Sequence, residues 1–153
     1  MGILSFLKPK PLFSEPENKG IVDAIREAEQ RTSGEVRVFI ESTCKYVDPL
    51  DRAAEVFYSL KMDNTSEHNA VLVYVALKDH QLALFADKGI HEKTGRHFWK
   101  KEVELMLAHF NKNDYALGIQ TVVRQIGEAL HQHFPYNGET DKNELPDDIV
   151  FGN

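Results

Sequence analysis

The sequence has a single cysteine, no long hydrophobic run and no excess of basic residues. Cys44 cannot form an internal disulfide, and one cysteine excludes a cysteine-rich zinc site. The longest apolar run, Ala70 to Leu77, is far shorter than the roughly 20 residues of a membrane-spanning helix. Eighteen basic and 24 acidic residues give a net charge of −6, which does not favour nucleic-acid binding. We therefore expect a cytoplasmic protein that has no transmembrane segment and binds no nucleic acid.

The remaining composition is that of an ordinary globular domain. The chain has 153 residues, of which 42% are hydrophobic and 27% charged, enough for one domain with a core of its own. Residues 1–13 are predicted to form an N-terminal arm that packs on a single domain, residues 14–153. The last part of that domain, residues 135–153, is an acidic tail with five acidic residues and one basic residue. Its apolar end, Ile149 to Phe151, is expected to dock as a short edge strand.

The order of predicted elements indicates an α/β fold. Ser14 and Glu17 form a capping-box pattern that begins a helix over about residues 15–31. A strand follows over 35–41, a helix after Asp48, two strands over 70–77 and 81–86, and two final helices after Thr94 and Asn113. The first two strands are separated by a helix and should be parallel, whereas the third should return antiparallel. The central strand is apolar throughout, so the small mixed sheet should carry helices on both faces.

Four short segments resemble the TPM domain family, whose name refers to thylakoid lumen, photosystem II repair and receptor-regulating proteins. They are Ser33-Gly34-Glu35-Val36-Arg37-Val38, His68-Asn69-Ala70-Val71-Leu72, Asp87-Lys88-Gly89-Ile90, and Asn113-Asp114-Tyr115 with Gly118. The third resembles the turn that follows the third strand of the family. Their order and spacing cover residues 14–134, and the closing segment from Asn143 to Ile149 is similar to bacterial members that consist of this domain alone.

The resemblance implies a three-layer αβα sandwich, binding of divalent cations, chiefly calcium, in loops at one sheet edge, and the acid phosphatase activity known in plant members. The chain departs from the family where Ala70 replaces the usual glycine after the asparagine. The signal peptide and downstream membrane helix of most bacterial relatives are also expected to be missing.

One candidate metal site lies in the loop before the second strand. Asp63, Thr65, Glu67 and Asn69 place oxygen-bearing side chains at alternate positions. The third strand returns antiparallel, so Asp87 should reach the same edge and approach Glu67. Calcium prefers six to eight such oxygen ligands. A simple turn and helix cap would explain the same residues without a metal.

The acidic tail is a second source of ligands. Asp141, Glu144, Asp147 and Asp148 lie within eight positions around Pro146, and their carboxylates would repel one another unless a cation bridged them. The alternative is a solvated acidic linker. We therefore predict one or two Ca²⁺ ions, with Mg²⁺ or another divalent cation as the substitute, bound by residues from both segments.

No established catalytic signature accompanies these carboxylates. Cys44 lacks the arginine of a cysteine phosphatase loop, and the sequence has no GxSxG, phosphate-binding P-loop or HExxH motif. Three functions stay open: a metal-responsive binding or regulatory module with a protein partner not yet identified, a metal-dependent acid phosphatase, and an interaction domain that needs no metal.

Overall fold

The computed structural model describes residues 13–136 and 149–152 as five helices and four strands. The helices are α1 (Glu15–Glu29), α2 (Pro49–Ser59), α3 (Lys88–Thr94), α4 (Arg96–Phe110) and α5 (Tyr115–His133). The strands are β1 (Glu35–Glu41), β2 (Ala70–Ala76), β3 (Gln81–Ala86) and β4 (Val150–Phe151). No helix in these residues is both long enough and apolar enough to cross a membrane.

The four strands form one mixed sheet in the order β3-β2-β1-β4. Strands β1 and β2 are parallel over their full lengths, with Glu35 opposite Ala70 and Glu41 opposite Ala76. Strand β3 is antiparallel to β2, and β4 lies parallel to β1 beside Phe39 and Ile40. The predicted strand directions and the short edge strand at Val150–Phe151 are confirmed.

Strand β2 lies at the centre of the molecule, and each of its seven residues is fully buried. Val71, Val73 and Val75 face one side of the sheet, where they belong to a core formed with helices α1, α3, α4 and α5. Leu72 and Tyr74 face the other side, which α2 covers with Ala53, Val56 and Phe57. The predicted α/β fold with helices on both faces of a small mixed sheet is confirmed as a three-layer sandwich.

Two local predictions require comment. The capping box of Ser14 and Glu17 is present, but α1 ends at Glu29, two residues before the predicted end. The segment from Asp87 to Ile90 was predicted as a turn, and it instead begins helix α3 with Asp87 as the N-cap. This helix has seven residues and buries only Ile90, so it has no apolar periodicity for the sequence to reveal. Of the predicted N-terminal arm, only Phe13 lies within the described residues, and it is buried in the core.

A buried carboxylate fixes α2 to the sheet. Glu41, at the end of β1, is 4% exposed and accepts hydrogen bonds from Arg52 Nε at 2.9 Å and Arg52 Nη2 at 3.0 Å. The hydroxyl of Tyr74 in β2 donates to the same carboxylate. The hydrogen bonds to Glu41 raise the pKa of the Arg52 guanidinium, which therefore keeps its positive charge. Two strands and α2 therefore share one ionic contact.

Replacing Arg52 with alanine should destabilise the protein by about 3 kcal/mol, because Glu41 would keep a buried charge without its cation. Urea unfolding at pH 7 measures the loss. Arg124→Ala is the matched control: it removes an exposed pair with Glu27 at 3.0 Å and should cost less than about 1 kcal/mol. Equal losses in the two variants would show that the Glu41–Arg52 contact has no special role.

A second buried acid lies between α4 and α5. Glu102 is 6% exposed, and the amide of Gln125, oriented with its nitrogen towards Glu102, donates to both carboxylate oxygens at 2.7 Å. Burial raises the pKa of Glu102, and the nearby charge of Lys101 acts in the opposite direction. The native protein therefore binds this proton more tightly than the unfolded chain does.

The linkage between proton binding and folding predicts how the stability of a Glu102→Gln variant depends on pH. The raised pKa in the native state means that Glu102 favours folding below the unfolded value of about 4.3 and loses this contribution as pH rises through the native pKa. Glutamine cannot ionise, so the variant should gain stability over the wild type at pH 7 and lose that gain at pH 4. Urea unfolding at both pH values tests this, and a pH-independent difference would contradict it.

Candidate functional site

Buried polar side chains lie together at one end of the strands, where β1 and β2 begin and β3 ends. This end, which we call the amino edge, contains Glu35, Thr65, Asn69 and Asp87, which are 2%, 5%, 1% and 7% exposed. The topology requires the grouping, because parallel β1 and β2 start at the same edge and antiparallel β3 finishes there. Four buried polar residues in one small region are unusual for a part of a fold that only connects elements.

Asp87 is the buried acid of this group. Its Oδ1 accepts the backbone N–H of Lys88 at 2.8 Å, which caps α3, and its Oδ2 lies 3.2 Å from Nδ1 of His68. The backbone N–H of Asp87 donates to the carbonyl of Ala70 at 2.9 Å and continues the β2–β3 ladder. The helix N-terminus and the ladder hold this carboxylate in one position, where the N-terminal dipole also favours its negative charge.

The loop before β2 packs tightly against the start of α3. The backbone N–H of Ile90 donates to the carbonyl of His68 at 3.2 Å. A side-chain carbon at Gly89 would lie 2.2 Å from the carbonyl oxygen of Glu67 and 2.5 Å from that of His68. His68 has a positive φ of 51°, a backbone conformation that a non-glycine residue rarely adopts. The contact with α3 thus fixes the loop in a strained form beside Asp87.

Two oxygen atoms in this region are buried and have no hydrogen-bond partner in the described part of the chain. They are Oδ1 of Asn69, whose Nδ2 donates to Ser33 Oγ at 3.3 Å, and Oγ1 of Thr65. A buried oxygen without a partner costs about 1–3 kcal/mol. These oxygens and the carboxylate of Asp87 lie at the same edge, and hard cations such as Ca²⁺ prefer oxygen ligands.

The predicted ligands fall into two groups. Asp63 and Glu67 are exposed in the loop and Asp87 is buried, but the side chain that contacts Asp87 is His68. Within residues 13–136 and 149–152, no three His, Cys, Asp or Glu side chains are grouped so that they could hold a metal ion. Asp141, Glu144, Asp147 and Asp148 lie outside the described residues, so the complete ligand set stays a prediction.

A partial signal for the buried oxygens at the amino edge is present in the sequence. Thr65 and Asn69 occupy alternate positions of the predicted loop, and Asn69 belongs to a segment used for the family resemblance. No pattern in the sequence indicates that His68 adopts a positive φ or contacts Asp87, because both features depend on where α3 lies.

A polar pocket of about 340 Å³ lies at the opposite end of the parallel strands, where β1 ends. Its basic residues, Lys45 and Arg52, lie beside Glu41 and Glu55, and the Arg52 guanidinium is hydrogen-bonded to both acids. The two positive charges of this pocket equal its two negative charges, and both acids already accept hydrogen bonds from the arginine. The pocket is therefore a poor receptor for a phosphate group.

Comparison with known proteins adds family information. The family model of the TPM domain matches residues 8–129. No curated protein matches the chain. The BA42 protein from the psychrophilic bacterium Bizionia argentinensis is similar to this chain, with 39% sequence identity. Its solution structure superimposes with a TM-score of 0.86 over 95% of this chain and 99% of that one. The N-terminal domain of cg2496 from Corynebacterium glutamicum shares the fold, at 13% identity and a TM-score of 0.58 over 78% of this chain and 74% of that one.

Gly89→Ala should displace the loop before β2 and destabilise the protein by about 1–3 kcal/mol, because the new methyl group would overlap two backbone carbonyls. Urea unfolding gives the energy, and amide chemical shifts of residues 63–69 report the displacement. Lys88→Ala, at the exposed neighbouring position, should change stability by less than about 0.5 kcal/mol. Unchanged loop shifts in Gly89→Ala would contradict the packing described here.

Proposed function

The chain belongs to the TPM domain family, and we propose that it is a divalent-cation-binding module of that family, with calcium as its ion, that responds to the metal by ordering a partner-binding surface. The observation that carries the proposal is the pair of buried, unpartnered oxygens on Thr65 and Asn69, which lie at the same edge as the buried carboxylate of Asp87. Both atoms can coordinate a cation, which would supply the partner that they lack among the described residues.

The chemistry of the described residues fits a hard cation. Asp87 supplies a carboxylate that is already desolvated, and Asp63 and Glu67 supply exposed carboxylates in the loop that contacts α3. No cysteine lies at the amino edge, and His68 is the nitrogen-bearing side chain recorded in contact with Asp87. An oxygen-dominated set favours Ca²⁺ or Mg²⁺ over zinc or copper.

The described residues on either side of residues 137–148 support a contribution from the carboxylates of the acidic tail. The described chain before the tail is held at the amino edge, where Thr32 forms a β-bridge with Pro135. The described chain after it enters β4 parallel to β1, which means that it arrives from the amino-edge side. On this basis we assign the remaining ligands to Asp141, Glu144, Asp147 and Asp148.

A bound cation would act on loop order and on stability. It would offset the repulsion among the loop and tail carboxylates and favour the arrangement in which both segments contact the same ion. At a hundredfold excess over the dissociation constant, the ion would stabilise the fold by about 2.7 kcal/mol. Ordering of two surface segments changes the surface offered to a protein partner, which is how such a domain would regulate.

The second candidate function is that of a metal-dependent acid phosphatase, since bound metal ions can activate water and hold phosphoryl oxygens. It also needs positive groups for the phosphate. Lys88 follows Asp87 directly, but its side chain is exposed. No specific observation favours this activity over binding. A domain that acts without metal is the remaining alternative.

Calcium titration of EDTA-stripped protein should show saturable binding, with amide shifts concentrated in residues 63–69, 87–92 and 139–148. Asp87→Asn should weaken binding at least about tenfold, because it removes the buried negative charge. Asparagine is also a good N-cap, so α3 should stay folded. Calorimetry and amide NMR provide the two measurements, and p-nitrophenyl phosphate hydrolysis by the same two proteins tests the phosphatase alternative.

Asp48→Asn is the matched control for this experiment. Asp48 is the N-cap of α2 and accepts the backbone N–H of Leu50 at 2.9 Å, but it lies in the loop that follows the opposite end of β1. The substitution is therefore the same in chemistry and in capping role, and it should leave calcium affinity unchanged. No binding up to millimolar calcium would reject both metal-dependent functions, and equal affinity of the Asp87→Asn variant would reject this site.

A further inference from the structure

The outer side of β3 has no strand partner within the described residues, since β3 is the last strand in the sheet order. The ladder bond from Asp87 N–H to the Ala70 carbonyl sets which residues face outwards. In an antiparallel pair the inward bonds alternate, so the backbone groups of Leu82, Leu84 and Ala86 point away from β2. This free edge can accept another strand.

The free edge lies in a mostly apolar groove. A cavity of about 810 Å³ runs along β3 between the start of α2 and the first half of α4. Leu82, Leu84, Trp99 and Val103 line it, together with Leu50, which is 45% exposed. A free strand edge with apolar walls on both sides is suited to pairing with another apolar strand.

The charges of the groove are separated along its length. Helix α4 starts after α3, near the end of β3, and ends beside Tyr115, whose hydroxyl lies 2.9 Å from His80 at the other end of β3. Arg96 and Lys100 therefore lie towards Ala86. Glu104 lies one turn further along α4, towards Leu82, and Asp48 lines the groove from the α2 side. One end of the groove is basic, and the other is acidic.

We propose that this groove is a self-association surface and that its occupant is the β3 edge of a second copy of the chain. Antiparallel pairing about a twofold axis places Leu84 opposite Leu84 of the second copy and Leu82 opposite Ala86. The sheet then continues across the dimer with α4 of each copy side by side. Antiparallel alignment brings the basic end of one groove to the acidic end of the other, so Lys100 of each copy faces Glu104 of the other.

This charge pattern is the reason for choosing a second copy as the occupant. A surface with separated charges of opposite sign is self-complementary under a twofold axis, because each residue contacts the residue that is equivalent to its own neighbour. A parallel arrangement would bring like charges together, which is unfavourable. The surface is at the side of the sheet, and the proposal does not depend on metal binding at the amino edge.

Sedimentation equilibrium from about 10 micromolar to about 1 millimolar protein should show a monomer–dimer equilibrium. Lys100→Glu and Glu104→Lys each create like-charge contacts twice in the dimer, and each should raise the dissociation constant at least about tenfold. An equimolar mixture of the two variants should dimerise again, because each contact then joins opposite charges. Trp99 is the sole tryptophan of the chain and lines the groove, so its fluorescence should follow the same concentration dependence.

Lys112→Glu is the control, because it changes the net charge equally at an exposed position outside the groove, and it should dimerise like the wild type. Recovery in the mixture also shows that the single variants are folded. A monomer at every concentration, or single variants that dimerise as the wild type does, would overturn the proposal. Binding of an unrelated extended peptide to a protein that stays monomeric would overturn it as well.

Discussion

The complete burial of β2 is the constraint on which the rest of the structure depends. Its seven residues are apolar apart from the Tyr74 hydroxyl, and none is exposed, so both faces of the sheet must be covered. Four helices cover one face and α2 covers the other. The buried polar side chains at the sheet, Glu35, Glu41, Thr65, Asn69 and Asp87, consequently lie at the ends of the strands, and the free strand edge lies at β3. The candidate cation site and the self-association surface lie in these places because the centre of the sheet leaves no room for polar groups.

The two ends of the parallel strands stabilise buried acids in different ways. At the end of β1, Glu41 is paired with Arg52, and its negative charge is neutralised by a side chain. At the amino edge, Asp87 contacts a helix N-terminus and the His68 ring, and no arginine or lysine of the described residues pairs with it. A cation would therefore be redundant beside Glu41 but would complete the electrostatics beside Asp87. This difference favours the amino edge as the place for a metal, independently of the family resemblance.

The parts of the fold that were predicted correctly are those with local signals. The apolar run of β2 and the capping box at Ser14 depend on neighbouring residues, and both were recognised from the sequence. Helix α3 was missed because Ile90 is its only buried residue, so its sequence shows no apolar periodicity. The amino edge was located through strand directions, and Asp87 was named. Its contact with His68 could not be predicted, because it depends on the packing of Gly89 against the loop, a contact between segments twenty residues apart.

One glycine separates the two functional regions that we propose. Gly95 has φ 81° and ψ 166°, a conformation open almost only to glycine, and it ends α3 and begins α4. The first helix stays at the amino edge with Asp87 as its cap, whereas the second runs along β3 with Trp99 and Lys100 in the groove. The break at Gly95 therefore allows one segment of chain to contribute to both the proposed cation site and the proposed association surface.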